Sequence, residues 1–264
     1  RLDLAVRELA FASREADIAG KGIDFTLNAA AERHGAGWRW QARLGWPRGE
    51  LFRAPWRRAA GVRMEAEGGL DRETLEVSLA RLEVDGLGGV SAGLRWDRAR
   101  GEASAGGFVT ERIDLEAAMR DWLQPWLSSL GCPQWQVSGH GRVSAEWQAG
   151  RLRRFYAGLE EARLADATGY LELEGVNAQL PWEAGAATQA EVGIASGRLG
   201  DLPLGGFMLP LRIEGSEARV TGLVAPLLDG RLVIDELRLR KSQSGWHGEF
   251  EGGIEGVSMP KLSR

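Results

Sequence analysis

Residues 227–254, "LLDGRLVIDELRLRKSQSGWHGEFEGGI", alternate apolar and polar side chains almost from end to end. Leu232 and Ile234 fall on one face, Leu237 and Leu239 continue it after a one-residue slip, and Trp246, Phe250 and Ile254 return to it. A period of two is the period of a β-strand, whose successive side chains point to opposite faces. The stretch holds no lone reactive residue in an apolar setting and no run of metal ligands. It is a one-sided apolar ribbon.

The same alternation recurs upstream. Ile23, Phe25 and Leu27 oppose Asp24, Thr26 and Asn28, while Trp38, Trp40, Ala42, Leu44 and Trp46 oppose Arg39, Gln41 and Arg43. Further ribbons carry Val62 and Met64; Leu75, Val77 and Leu79; and Val90, Ala92, Leu94 and Trp96. Later come Leu171 and Leu173; Val176, Ala178, Leu180 and Trp182; and Leu209, Leu211 and Ile213. Strands with one clean polar face belong to an antiparallel sheet solvated on that side, because a parallel sheet buries both faces. Asp85-Gly86 and Asp229-Gly230 are hairpin-turn signals between such runs. The chain reads as all-β.

One stretch departs from this period. "IDLEAAMRDWLQPWLSSLG" (113–131) sets Leu115, Met119, Trp122, Leu123, Trp126, Leu127 and Leu130 at helical spacing. Asp114 is its N-cap candidate, Gly131 its stop, and Pro125 is expected to kink or split it. Such a helix either packs on the sheet or covers an apolar surface as a lid, with Leu115, Met119, Trp122 and Trp126 as the covering residues.

The chain also looks duplicated. "FASREADIAGKGIDFTL" (11–27) lies over "LADATGYLELEGVNAQL" (164–180) without a gap, an offset of 164 − 11 = 153. Phe11 meets Leu164, Ser13 meets Asp166, Gly22 meets Gly175, and Leu27 meets Leu180. Two stacked copies of one β unit are expected, 1–135 ending in the helix and 136–264 following it.

Composition bounds what such a sheet can serve. At 264 residues the chain can build a sizeable core. Apolar residues at 44% and charged residues at 27% are ordinary globular values, which argues against disorder. Glycine, at 37 residues, is frequent and proline, at 9, is sparse, a balance that favours many turns over a linker. A formal net charge of −4 disfavours nucleic acid as a partner. No apolar run is long enough to span a membrane as a helix. The opening "RLDLAVRELAFA" is already strand-like, so the chain reads as a fragment whose anchor or signal lies elsewhere.

Candidate chemistry is thin. His34, His140 and His247 lie about a hundred residues apart, and none has a metal-ligand neighbour at working spacing. Cys132, between Gly131 and Pro133, has no nucleophile signature around it. "GLGGVSAG" (86–93) and "GHGRVS" (139–144) lack the third glycine of a dinucleotide loop and run on into strand alternation. Carboxylates alternate with apolar residues as a solvated strand face does. Neither an enzyme, a metal nor a cofactor is expected.

A one-sided sheet hides its apolar face either in a closed sandwich or barrel, or in a curled open trough that leaves the face to a guest. Alternation fits both; stacked copies favour the trough, because they extend a sheet along one axis with the same face inward.

The stretch 197–263, with its "LLDGRLVIDEL" strand and closing "GGIEGVSMPKLS", resembles the AsmA-like superfamily of Gram-negative bacteria, as does "GHGRVSAEWQAGRLRRF" (139–155). It is most similar to the YdbH branch, catalogued under a "dicarboxylate transport" domain label, and similar also to TamB. The resemblance implies a periplasmic protein with an inner-membrane anchor outside this chain, an outer-membrane partner, and an elongated, curved antiparallel sheet forming an open groove or half-barrel. It implies a groove that binds phospholipid acyl chains and passes them between the two membranes, and it carries no catalytic residue. A small dianion would need convergent Arg or Lys instead. Phe25, Leu27, Trp40, Leu44, Val77, Leu94, Leu173, Leu180, Leu211, Ile234 and Phe250 are the expected lining. The competing expectation is a scaffold of the envelope that binds another protein by an exposed strand edge.

Overall fold

The structure, a computed structural model, describes residues 1–13, 17–53, 56–59, 61–129, 134–242 and 245–257. The chain is all-β with one short helical stretch, and it divides into two compact units. Arg1–Cys132 with Ser144–Arg153 makes the first; Pro133–Val143 with Arg154–Arg264 makes the second.

The first unit is an antiparallel meander. β1 (Leu2–Ala12), β2 (Ile18–His34), β3 (Gly37–Arg53), β4 (Trp56–Ala59), β5 (Val62–Leu70), β6 (Thr74–Val84), β7 (Gly88–Asp97) and β8 (Glu102–Thr110) follow in order. Each pairs with the next, except that β4 takes only the far end of β3 and β5 takes the rest. After β9 (Ile113–Asp114) and the helix, β10 (Trp135–Gln148) lays Ser144–Gln148 along Val109–Ala105 of β8. The second unit repeats this plan with β11 (Arg151–Asp166), β12 (Leu171–Glu183), β13 (Ala187–Ile194), β14 (Ser196–Leu199), β15 (Leu202–Leu204), β16 (Phe207–Glu214), β17 (Glu217–Leu227), β18 (Gly230–Ser242) and β19 (Gly245–Glu255). Here β13 and β14 together do the work of β3, and β15 that of β4.

The repeat is visible atom by atom in the first hairpin of each unit. Val6, Leu9 and Phe11 face Phe25, Ile23 and Gly20; 153 residues on, Leu159, Ala162 and Leu164 face Ala178, Val176 and Leu173, with the same two register shifts. Glu8 and Glu161 occupy the left-handed region at φ 53° and 48°, and Gly22 and Gly175 do so at 60° and 59°. The Glu8 amide donates to Asp24 Oδ1 at 2.8 Å, and the Glu161 amide to Asn177 Oδ1 at 3.0 Å. A left-handed glutamate costs about 1–2 kcal/mol, and a hydrogen bond of about 1 kcal/mol offsets part of it.

Two bulges and one turn revise the simple reading of the sequence. Leu79 leaves the face of Leu75 and Val77: the register shifts between Val77 and Ala80, so Leu79 stands opposite Glu67 on the charged side and is exposed. Second, the Asp229-Gly230 signal marks a turn, but its positive φ is on Leu228 (54°), while Gly230 opens β18. A Cβ on Gly230 would lie 2.2 Å from the Glu255 carbonyl oxygen, so close approach is what requires glycine there. Third, the slip between Ile234 and Leu237 is a bulge between Ile234 and Glu236, opposite Gly222 at φ 68°. Leu223 and Val220 are both buried, so apolar side chains continue on one face across it.

The helical stretch runs as α1 (Leu115–Ala118), a π-helical turn (Met119–Leu123) and α2 (Gln124–Ser129). Asp114 caps it, its carboxylate accepting the Ala117 amide at 2.9 Å. Proline at 125 has no N–H to continue the ladder. The Gln124 amide reaches back to Met119 O, which is the widened turn. Leu130, Gly131 and Cys132 lie outside the described residues.

Candidate functional site

Cross-strand register turns the alternation into rows. In the first unit one row on the apolar face reads Leu4, Leu27, Leu44, Met64, Leu82, Val90. Two residues along the strands, the next reads Leu2, Ala29, Ala42, Ala66, Ala80, Ala92, Phe108, Ala145. The third reads Ala31, Trp40, Gly68, Val77, Leu94, Gly106, Trp147. Five alanines on five neighbouring strands therefore lie between two rows of larger side chains. At about 4.8 Å per strand the alanine row is about 19 Å long. Leu2 and Phe108 stand at its ends. Gly106 makes room for a ring, because a Cβ there would come within 2.6 Å of Trp147, whereas a Cβ on Gly68 would lie 1.8 Å from the Glu76 carbonyl oxygen and 2.9 Å from Trp40.

The opposite face is charged and laced across strands. Arg43 meets Glu65 at 3.3 Å, Arg63 meets Glu83 at 3.2 Å, and Arg95 meets Glu76 at 3.5 Å. In the second unit Arg154 meets Glu183 at 3.5 Å and Arg231 meets Glu255 at 2.8 Å. The Arg163 guanidinium, hydrogen-bonded to Glu172, and Arg198 at 3.0 Å hold the Glu172 carboxyl below its usual range. Such exposed pairs contribute little each, but they commit this face to water. A cleft of about 970 Å³ is lined both by charged-face residues, Glu32, Arg39, Gln41, Glu67 and Glu76 among them, and by Trp38, Trp40 and Leu70 of the apolar rows.

Among the described residues nothing comparable covers the apolar face. Phe25, Leu27, Trp40, Leu44, Val77 and Leu94 share that face in the first unit, and all six are only half-buried. Leu173, Leu180, Leu211 and Ile234 are half-buried on the apolar face of the second unit. Phe250 lies on its row through Leu211, Val220 and Leu237, yet it is 61% exposed, because β19 has strand neighbours on one side only among the described residues. Among the described residues no large side chain is buried completely, and the cores hold mostly alanine and valine.

Of the helix residues, Ala117 and Ala118 are buried, and Leu115 and Met119 are half-buried. Trp122 and Trp126 are exposed, the latter at 47%. The helix thus buries its first turn, its π-helical turn lies against β4, and Trp122 and Trp126 are its most exposed large apolar residues along with Leu123.

No group of three or more potential metal ligands occurs among the described residues. No helix there is long and apolar enough to cross a membrane. The alanine row escaped the sequence, because it exists only once five strands are in register; the signal for it was an alanine two or four residues from a large apolar residue in each ribbon. Comparison with family models, curated proteins and solved structures finds no match.

Proposed function

We propose that the apolar face is a lipid-binding surface: an open trough that takes phospholipid acyl chains and lets them pass between the membranes of a Gram-negative envelope, without catalysis. The observation that carries this reading is a two-faced sheet whose charged side is tied down by ion pairs while its apolar side has no covering layer. Each acyl CH₂ kept from water is worth roughly 0.8 kcal/mol, so a two-chain lipid with about 30 such groups resists exposure by roughly 20 kcal/mol. No single polar contact matches that. The furrow of alanines, about 19 Å long, is long enough to hold one leaflet's chains, about 15 Å as half of a roughly 30 Å hydrocarbon core. Placement in the periplasm, with an inner-membrane anchor and an outer-membrane partner, belongs to this proposal through the resemblance to AsmA-like proteins.

The test is mass spectrometry of lipid co-purifying with the chain, followed by two substitutions. Ile234→Asp puts a charge on the apolar face and is expected to abolish lipid loading. Asp235→Lys, on an exposed bulge residue, is expected to leave it intact. Equal loss from both at matched expression, or no lipid at all, overturns the reading.

A further inference from the structure

Beyond the third row of the first unit lies a fourth: Arg33, Trp38, Leu70, Leu75, Trp96, Ala103. It runs next to the strand ends, at the open end of the apolar face, where Trp38 is 51% exposed and Trp96 is exposed too. The far end of the same face is closed, with Val84 and Ile23 buried. Across the rows from Trp38 to Trp46, Arg33 is the only charged side chain on the apolar face among the described residues.

Arg33 is exposed, and among the described residues no hydrogen bond or ion pair engages its side chain. On the charged face Arg43, Arg63 and Arg95 each have a carboxylate within 3.5 Å, and Arg39 and Arg81 stand there among polar neighbours; unlike these five, Arg33 stands among apolar ones. A guanidinium stationed on an apolar face, directly across from a tryptophan, offers a planar fork of donors beside a surface for hydrocarbon. Tryptophan rings favour such a boundary between apolar and wet surroundings. The pair matches a molecule with an anionic head and an apolar body.

We propose that Arg33, backed by Trp38 and Trp96, anchors the phosphate of a phospholipid headgroup at the rim of the first unit. The phosphate oxygens accept from the guanidinium, and the chains run past Trp40 and Ala31 toward the alanine row. This rests on the lipid-trough reading and adds to it a headgroup class and a fixed end. A neutral lipid would have the trough without the anchor.

The experiment compares binding of fluorescent phosphatidylglycerol with diacylglycerol bearing the same chains and label, and of inorganic phosphate alone. Arg33→Gln is expected to weaken phosphatidylglycerol about tenfold, the loss of one charge-assisted contact. It is expected to leave diacylglycerol within about twofold, and Arg33→Lys to keep most of the affinity. An unchanged strand signal in circular dichroism shows that the variants fold. If Arg33→Gln weakens both lipids alike, or neither, the anchor is wrong while the trough stands. If the native chain binds neither lipid, the trough itself fails and the anchor with it. Inorganic phosphate bound alone, and lost in Arg33→Gln, makes the site one for a free anion and overturns the headgroup assignment.

Discussion

The two units share a backbone plan and differ in what fills it. Where the first unit sets Ala42, Ala66, Ala80 and Ala92 side by side, the corresponding row of the second reads Thr188, Ile213, Ala218, Leu239. The furrow of one unit is thus largely occupied by side chains in the other. Burial in the first hairpins differs in a complementary way. Leu9 is 37% exposed, whereas its counterpart Ala162 is completely buried. Identical register shifts and identical left-handed positions persist under these exchanges. Backbone devices define the unit, and side-chain size adapts each copy.

Breaking the comparison at its tightest point gives the largest expected effect. Ala162→Asp places an unpaired charge in a site without solvent and costs at least about 3 kcal/mol. Leu9→Asp, at the half-open equivalent, costs about 1 kcal/mol. Urea melts of the two variants check this; equal losses would mean that the hairpins are covered alike.

The paired glycines sharpen it. Gly22→Ala meets open space, so only the left-handed backbone is penalised, by about 1 kcal/mol. Gly175→Ala also drives its Cβ to 2.7 Å from the Cβ of Ala195, which raises the cost to about 2–3 kcal/mol. Thermal unfolding of both variants ranks them, and the reverse order would remove the packing argument.

The smallest effect separates the turns by pH. Ser13 Oγ accepts the Ile18 amide at 3.2 Å, and at the equivalent place Asp166 Oδ1 accepts the Leu171 amide at 2.8 Å. The Thr168 hydroxyl first, and then the Leu171 amide, hold the Asp166 carboxyl below its ordinary value. A depressed carboxyl stabilises fully above its unfolded pKa, and that contribution is lost as pH falls through the lower folded value. Amide exchange at Leu171 is expected to quicken over that acid window. Asp166→Ser, which copies Ser13, is expected to flatten the response.

Much of this was legible in the sequence, and the limits have physical causes. Alternation reports which face a residue prefers, so the strands and most of the apolar side could be read directly. Asp114 announced its cap, Pro125 its disruption, and the Gly22/Gly175 match the repeat. Leu79 misled because a bulge adds one residue without any glycine or proline to mark it. Leu228 misled because Asp-Gly beside it offers an easier turn than the one used. Exposure was illegible, since alternation is the same whether the apolar face is covered or bare. Arg33 passed unnoticed because only register, joining it to Trp38, shows that it stands among apolar neighbours.

The alanine row also has a kinetic consequence. A flexible guest lying along it meets nearly the same wall every 4.8 Å or so, with neither a deep notch to hold it nor a bulky step to climb. Its energy along the path is a shallow ripple, and friction is low. A surface built for tight retention would instead be knobbed, each pocket shaped to one segment of its ligand. Uniform small side chains grip poorly and release readily, so under the proposed lipid-carrying role this stretch would act as a rail, with any stopping place at its ends.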